Sequence, residues 1–304
     1  MSARDLSVTI GGLRLANPVM VASGTFGYAE EFKDMVSLKK LGALVTKTVT
    51  LEPRAGNLPP RTCETPAGML NAIGLENPGL ECFIADKLPF FAATGVPVIV
   101  SVASEKDPAE FLAIAERLRD LDAVTALELN ISCPNLSGDI LISQDARATF
   151  ETVQKVRGAW PRTLITKLSP NVTSIGDIAA AAEKAGSDAI ALINTLTGLA
   201  IDVDTRRPKL SFGTGGLSGP AIRPVAVRMV REVFNRVQIP LIGMGGIDDT
   251  ASAVEFIIAG AAAVGVGTAN FINPRVCEEI IAGLDAYLKK HKLNGLKSLI
   301  GAMQ

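Results

Sequence analysis

Cys133 lies in the run Asn130-Ile-Ser-Cys-Pro-Asn135, directly after the apolar stretch VTALEL at residues 124–129. A cysteine that only packs belongs inside such a stretch. One placed just beyond it, between a serine and a proline and flanked by two asparagines, is positioned to act as a nucleophile or base; packing under a loop is the plain alternative. Lys47 and Lys167 end two other apolar runs, and Ser23, Thr48, Ser101, Asn194 and Thr195 occupy similar places. An ammonium at the end of a buried segment needs a counter-charge, which a solvated rim or a carboxylate can also supply. PLIGMGGI and AVGVGTANF end in Gly245, Gly246, Gly267 and Thr268. Backbone N–H groups of such glycines can approach a phosphate closely, although turn geometry alone also explains glycine pairs. The chain's one histidine, His291, sits in the basic stretch YLKKHKL, so proton transfer here is expected to use another residue type.

These residues need a common frame. Runs rich in β-branched and aliphatic residues recur at residues 18–23, 43–49, 97–103, 126–132, 164–169, 189–195, 240–245 and 263–268. Helical patterns lie between them at residues 108–121, 146–158, 175–185, 220–237 and 250–259. The strands are apolar on both faces, as parallel strands covered by helices must be. Eight such units over about 250 residues predict an α/β fold, a (β/α)8 TIM barrel. The alternative, a doubly wound open sheet, calls for a glycine-rich turn after its first strand, and ASGTFG at residues 22–27 lacks that spacing. The opening residues 6–15 read as an N-terminal β-hairpin turning at Gly11-Gly12 and capping the barrel bottom. Two long connections, residues 51–77 and 196–219, leave strand ends at the C-terminal face, where barrels carry active sites. The whole of residues 1–304 reads as one barrel domain.

Composition narrows the partners. Hydrophobic residues make up 48% of 304, and 30 basic against 31 acidic residues leave a net charge of −1. That balance gives no electrostatic reason to expect nucleic acid or an anionic membrane. No uncharged apolar run reaches the ~18 residues of a membrane helix, and the N-terminus lacks a signal peptide's apolar core, so a cytoplasmic protein is expected. Cys63, Cys82, Cys133 and Cys277 include no C-x-x-C pair, which argues against a metal site or cluster held by this chain alone. Cys82 and Cys277 fall in helical stretches where packing explains them.

Longer motifs carry a resemblance. ETPAGMLNAIGLENPGLE (residues 64–81), ELNISCPN (128–135), KLSPNVT (167–173), INTLTG (193–198), GGLSGPAIRPVA (215–226), IGMGGI (242–247) and VGTANF (266–271) occur in this order. Together they resemble the dihydroorotate dehydrogenases, flavoenzymes of pyrimidine synthesis, and within them the catalytic subunit of the NAD-linked class 1B. The resemblance implies FMN with its phosphate on Gly245, Gly246, Gly267 and Thr268. Gly219 and Ile193 would add backbone contacts, Ser23, Thr48 and Asn130 would hold the ring system, and Lys167 would lie beside flavin N1–O2, with Lys47 close by. It further implies that Lys47, Asn71, Ala72, Ile73, Gly74, Leu75, Asn130, Asn194 and Thr195 bind dihydroorotate. Cys133 would be the general base, taking a proton from C5 while a hydride leaves C6 for flavin N5. Two departures stand out. Residues 136–145 read LSGDILISQD where relatives carry a basic, glycine-rich closing loop, and Ser101 stands where many carry asparagine near the flavin.

The resemblance also implies partners: a homodimer of this chain joined to two subunits carrying FAD and a [2Fe–2S] cluster, which pass electrons to NAD. Rival readings of the same residues remain. They are a class 1A-like homodimer using fumarate, an aldolase-type barrel with a Schiff base on Lys47 or Lys167, a silent binding barrel, and a dihydropyrimidine-reducing flavoenzyme.

Overall fold

The computed structural model describes residues 4–104, 107–132 and 142–304. Its centre is an eight-stranded parallel sheet: β1 (Val19–Val21), β2 (Leu44–Val45), β3 (Val98–Val102), β4 (Ala126–Asn130), β5 (Thr163–Lys167), β6 (Ala189–Leu192), β7 (Leu241–Met244) and β8 (Ala261–Val266). Each strand neighbours the next in sequence, β8 pairs back onto β1, and an isolated parallel bridge between Met20 and Ala43 joins β1 to β2. The sheet thus closes into the expected barrel, a TIM barrel of the α/β class.

Side-chain alternation sorts each strand into two faces. Outward residues such as Val98, Val100, Leu127, Leu129 and Val264 pack beneath the helices with Phe111, Ile114, Val153 and Phe256. Inward residues are smaller: Ala43, Ala126, Ala189, Ala191 and Ala263 share the interior with Met20, Ile99, Ile165 and Ile242. An eight-stranded barrel leaves only enough interior for its own side chains, hence the alanines.

The covering helices are α1 (Leu88–Thr94), α2 (Ala109–Leu118), α3 (Ala146–Ala159), α4 (Ile175–Lys184), α5 (Arg223–Phe234), α6 (Thr250–Ala259) and α7 (Val276–Lys290). Three begin at side-chain caps that sequence alone would suggest. Asp145 accepts from the Ala148 N–H, Ser174 from Asp177, and Asp249 forms a capping box with Ser252. None of these helices is long and apolar enough to cross a membrane.

Several expected boundaries move. β2 keeps only two residues of the predicted 43–49, because the ladder is interrupted after Thr46 and resumes only as a single bridge between Val49 and Val102. The predicted helix 220–237 opens as a short 3-10 turn, Pro220–Ile222, before α5, with a proline in each first turn. After β1 the chain makes only 3-10 turns, Glu30–Phe32 and Leu38–Lys40. The hairpin forms as expected, Val8–Ile10 against Leu13–Leu15. Ile10 and Leu15 are fully buried in the interior cluster, so it plugs the barrel bottom.

The largest difference concerns the two long connections. They fold onto each other as a four-stranded antiparallel sheet, ordered Leu196–Gly198, Gly215–Ser218, Gly68–Asn71 and Thr62–Thr65. The pairing Gly216↔Asn71 and Leu217↔Leu70 joins segments about 145 residues apart, which no local pattern announces.

Candidate active site

The C-terminal barrel rim and this second sheet enclose a cavity of about 560 Å³, a size typical of small-molecule and cofactor sites. Its wall includes Ser23, Lys47, Thr48, Asn130, Lys167, Ile193, Asn194, Thr195, Gly219, Gly245, Gly246, Gly267, Thr268 and the whole segment Asn71, Ala72, Ile73, Gly74 and Leu75. The structure therefore brings together nearly every residue singled out from sequence.

Two remain. Cys133 lies outside the described residues. Ser101 is completely buried and absent from the wall; its hydroxyl meets Thr48 Oγ1 at 3.1 Å. Ser101 thus stands directly behind the wall residue Thr48.

One end of the cavity is built from backbone. Gly245 and Gly246 follow β7 with φ of 123° and 81°, a region L side chains rarely adopt. A Cβ on Gly246 would lie 2.8 Å from the Gly219 carbonyl oxygen, and one on Gly245 2.9 Å from Ala226 Cβ. The bare turn therefore lets the main chain come up against a ligand. Thr268 Oγ1 donates to or accepts from Ser218 Oγ at 2.8 Å, tying the end of β8 to the second sheet.

The other end is a set of amides. Asn194 Nδ2 donates to Asn130 Oδ1 at 3.3 Å and also bonds Ser132 Oγ, which itself donates to Asn130 Oδ1 at 2.6 Å. Asn171 Nδ2 donates to the Thr195 carbonyl oxygen at 3.0 Å. The 71–75 segment is gripped from behind. Asn57 Nδ2 donates to the Ala72 carbonyl, Arg54 Nε to that of Gly74 and Asn77 Nδ2 to that of Leu75. Leu75 has φ of 56°; for a branched side chain this costs roughly 1–2 kcal/mol, and the buried Asn77 holds it there.

Between the two ends stand the lysines. Lys167 ends β5, is 5% exposed and donates from Nζ to Ser23 Oγ at 3.1 Å. Burial pushes the Lys47 ammonium down to about 8; the Glu76 charge opposes the drop and the Lys167 charge adds to it. Two like charges facing one cavity favour an anionic occupant. The other cysteines lie elsewhere. Cys277 is buried and pushed up to about 12 by that burial, so it is inert packing, and Cys82 bonds Asp86.

Sequence reasoning missed Asn57, Asn77, Ser132 and Asn171. Ser132 and Asn77 stand inside the motifs that carry the resemblance. Asn171 does too, in KLSPNVT, while Asn57 lies outside those motifs and gains its role from the fold of its own loop, where it meets the Ala72 carbonyl.

This geometry agrees with what the chain is similar to. The family model for dihydroorotate dehydrogenase matches residues 5–288. The chain is 51% identical over 304 residues to "Dihydroorotate dehydrogenase B (NAD(+)), catalytic subunit" of Geotalea uraniireducens, covering 100% of this chain and 99% of that one. Proteins of the same description from Geotalea daltonii and Pelobacter propionicus are each 52% identical, the first across 100% of both chains and the second across 99% of both. The chain belongs to the dihydroorotate dehydrogenase family. Within that family, the rim residues described above are candidates for cofactor and substrate contacts, and the Schiff-base barrel loses its support.

Proposed function

We propose that this chain is the catalytic subunit of an NAD-linked dihydroorotate dehydrogenase, oxidising (S)-dihydroorotate to orotate in pyrimidine biosynthesis. The observation that carries the proposal is the two-ended cavity. A glycine-lined end suits a phosphate, an amide end suits a cyclic ureide, and two ammonium groups stand between them.

The residues present fit FMN. The turn at Gly245 and Gly246, whose positive φ and tight packing on Gly219 and Ala226 require glycine, would take its phosphate together with Gly267 and Thr268. Gly219, Ile193, Ser23, Thr48, Asn130 and Lys167 would hold the rest, with Ser101 supporting Thr48 from behind. Bound FMN supplies the two-electron acceptor that this chain's side chains lack.

The chain's own residues do the rest. Asn71, Asn130 and Asn194 each offer a donor and an acceptor, matching the alternating N–H and C=O groups of the dihydroorotate ring. The bonds of Asn130 and Asn194 through Ser132, and that of Asn71 Nδ2 to the Gly216 carbonyl, fix the amide orientations before substrate arrives, so little ordering is left to binding. Lys47 offers an ammonium to the substrate carboxylate, and Thr195 and the 71–75 segment close the amide end against water. Cys133 directly follows the wall residue Ser132 in sequence; in this reading its thiolate accepts the C5 proton as the C5=C6 double bond forms. Electrons leave through a partner subunit bearing FAD and a [2Fe–2S] cluster, in a two-plus-two assembly with a homodimer of this chain. The curated relatives' designation as catalytic subunits supports a separate partner, and NAD(+) in their names favours it over fumarate as acceptor.

The test is the visible spectrum of the purified chain under anaerobic conditions, before and after dihydroorotate. Flavin bands that bleach support the reading; a protein that stays colourless after incubation with FMN, or yellow after substrate, counts against it. Cys133→Ala is expected to retain FMN yet slow its reduction by roughly 10²–10⁴-fold. A near-normal rate in that variant would sink the assignment of the base.

A further inference from the structure

Glu128 is an acid in the middle of an otherwise apolar barrel strand, and the mechanism above gives it no task. On β4, Leu127 and Leu129 face the helices while Ala126 faces the interior. Alternation therefore turns Glu128 inward, one pleat below Asn130. It is 2% exposed, and its Oε1 has no hydrogen-bond partner among the described residues. It does not line the cavity but lies under its floor.

The register shows what stands nearest. Glu128 is level with Ser101 on β3 and Ile165 on β5, and the next inward residue on β5 is Lys167, level with Asn130. Glutamate and lysine on adjacent strands, offset by one pleat, have side chains long enough to share a field. Lys47 enters the same space from the end of β2 and feels the Lys167 charge.

A carboxylate sealed from water is costly unless a cation offsets it. Among the described residues, no group of three His, Cys, Asp or Glu side chains could hold a metal ion there. Lys167, one pleat up on the neighbouring strand, is thus the cation at hand, while Glu76 is the acid that acts on Lys47. Charges in such a low-dielectric space act strongly over a few ångströms.

Resting on the flavin reading above, we propose that Glu128 is a positioning residue: its carboxylate under the cavity floor offsets the charge of neighbouring Lys167 and so sets how strongly the cavity favours reduced over oxidised FMN. Replacing the acid with a neutral group makes the field beneath the flavin site more positive. Reduced FMN carries the extra negative charge, so removing the acid favours it.

The experiment compares the FMN-loaded wild-type chain with Glu128→Gln and Glu128→Asp by equilibrium redox titration against a dye. The Gln variant keeps the shape and loses the charge. It is expected to bind reduced relative to oxidised FMN about tenfold more tightly, a rise of ~30 mV for a two-electron couple. The Asp variant keeps the charge and should stay close to wild type. An unchanged or lowered potential in the Gln variant overturns the proposal, as does an equal shift in both variants, which would mark a purely structural role. Should the Gln variant not fold, Glu128→Asn against Glu128→Asp gives the same contrast at equal length. If the wild-type chain takes up no FMN, the flavin reading fails and this proposal with it. If FMN binds but the charge contrast is absent, only the role of Glu128 fails.

Discussion

The two ends of the barrel are built from the same strands and obey opposite chemistry. At the bottom, Ala126, Ile165, Ala189, Ile242 and Ala263 form an apolar layer with Ile10 and Leu15 of the hairpin, and Thr163 and Asp188 stand only beside its turn. At the top, the same inward faces carry Glu128 with Asn130 on β4 and Lys167 on β5, and the chain beyond β6 adds Asn194. On β5 a single pleat separates apolar Ile165 from Lys167. An apolar layer closes a barrel on its own; a layer of ammoniums and amides is costly to bury and is kept where a ligand will complete it. Stability is thus concentrated below and function above, within one continuous sheet.

That contrast can be broken at either end. The largest effect is expected at the bottom. Leu15→Ala should cost about 2–5 kcal/mol, lowering the thermal midpoint by roughly 3–8 °C, while FMN content and the KM for dihydroorotate stay near wild type. A loss of FMN affinity at 25 °C in the folded variant would show that the two ends are coupled. At the top, Asn194→Ala removes the amide that ties Asn130 to Ser132. It should raise the KM for dihydroorotate roughly 10–100-fold with a thermal midpoint within a few degrees of wild type. A large stability loss without a KM change would move Asn194 to the structural side.

The smallest effect is a pH dependence. Lys47 is lowered from its ordinary 10.5 to about 8, first by burial. Its folded value lies below its unfolded one, so between about 8 and 10.5 the unfolded chain holds more protons. The burial cost is therefore present below about pH 8 and relieved as pH rises through that window. Binding runs the other way, since the ammonium that attracts the substrate carboxylate is lost above about 8. Orotate affinity, read by flavin perturbation, should weaken up to about tenfold per pH unit above that point. Lys47→Met should bind orotate more weakly and lose this limb, and a flat profile in the wild-type chain would remove Lys47 from carboxylate recognition.

Much of the site is legible in the amino-acid sequence. Lys167, Asn130 and Gly245 are polar or glycine residues ending apolar runs, and in a parallel barrel strand ends converge by topology. Ser101 shows the limit of that rule. It follows the same pattern in sequence, yet the fold puts it behind Thr48. Glu128 is the converse case, an acid visible in the strand ALELN whose significance depends on facing inward beneath Lys167.

Local pattern suffices for the barrel, the plug at its base and the rim on which the polar residues gather. These follow from alternation, strand length and turn and cap chemistry, which act over a few residues. Long-range packing was needed to join residues 62–71 and 196–218 in one sheet over the mouth, and to bring Asn171 against the Thr195 carbonyl. The sheet pairs segments more than a hundred residues apart, and the free energy that selects that pairing exists only once the barrel has brought both loops to the same rim.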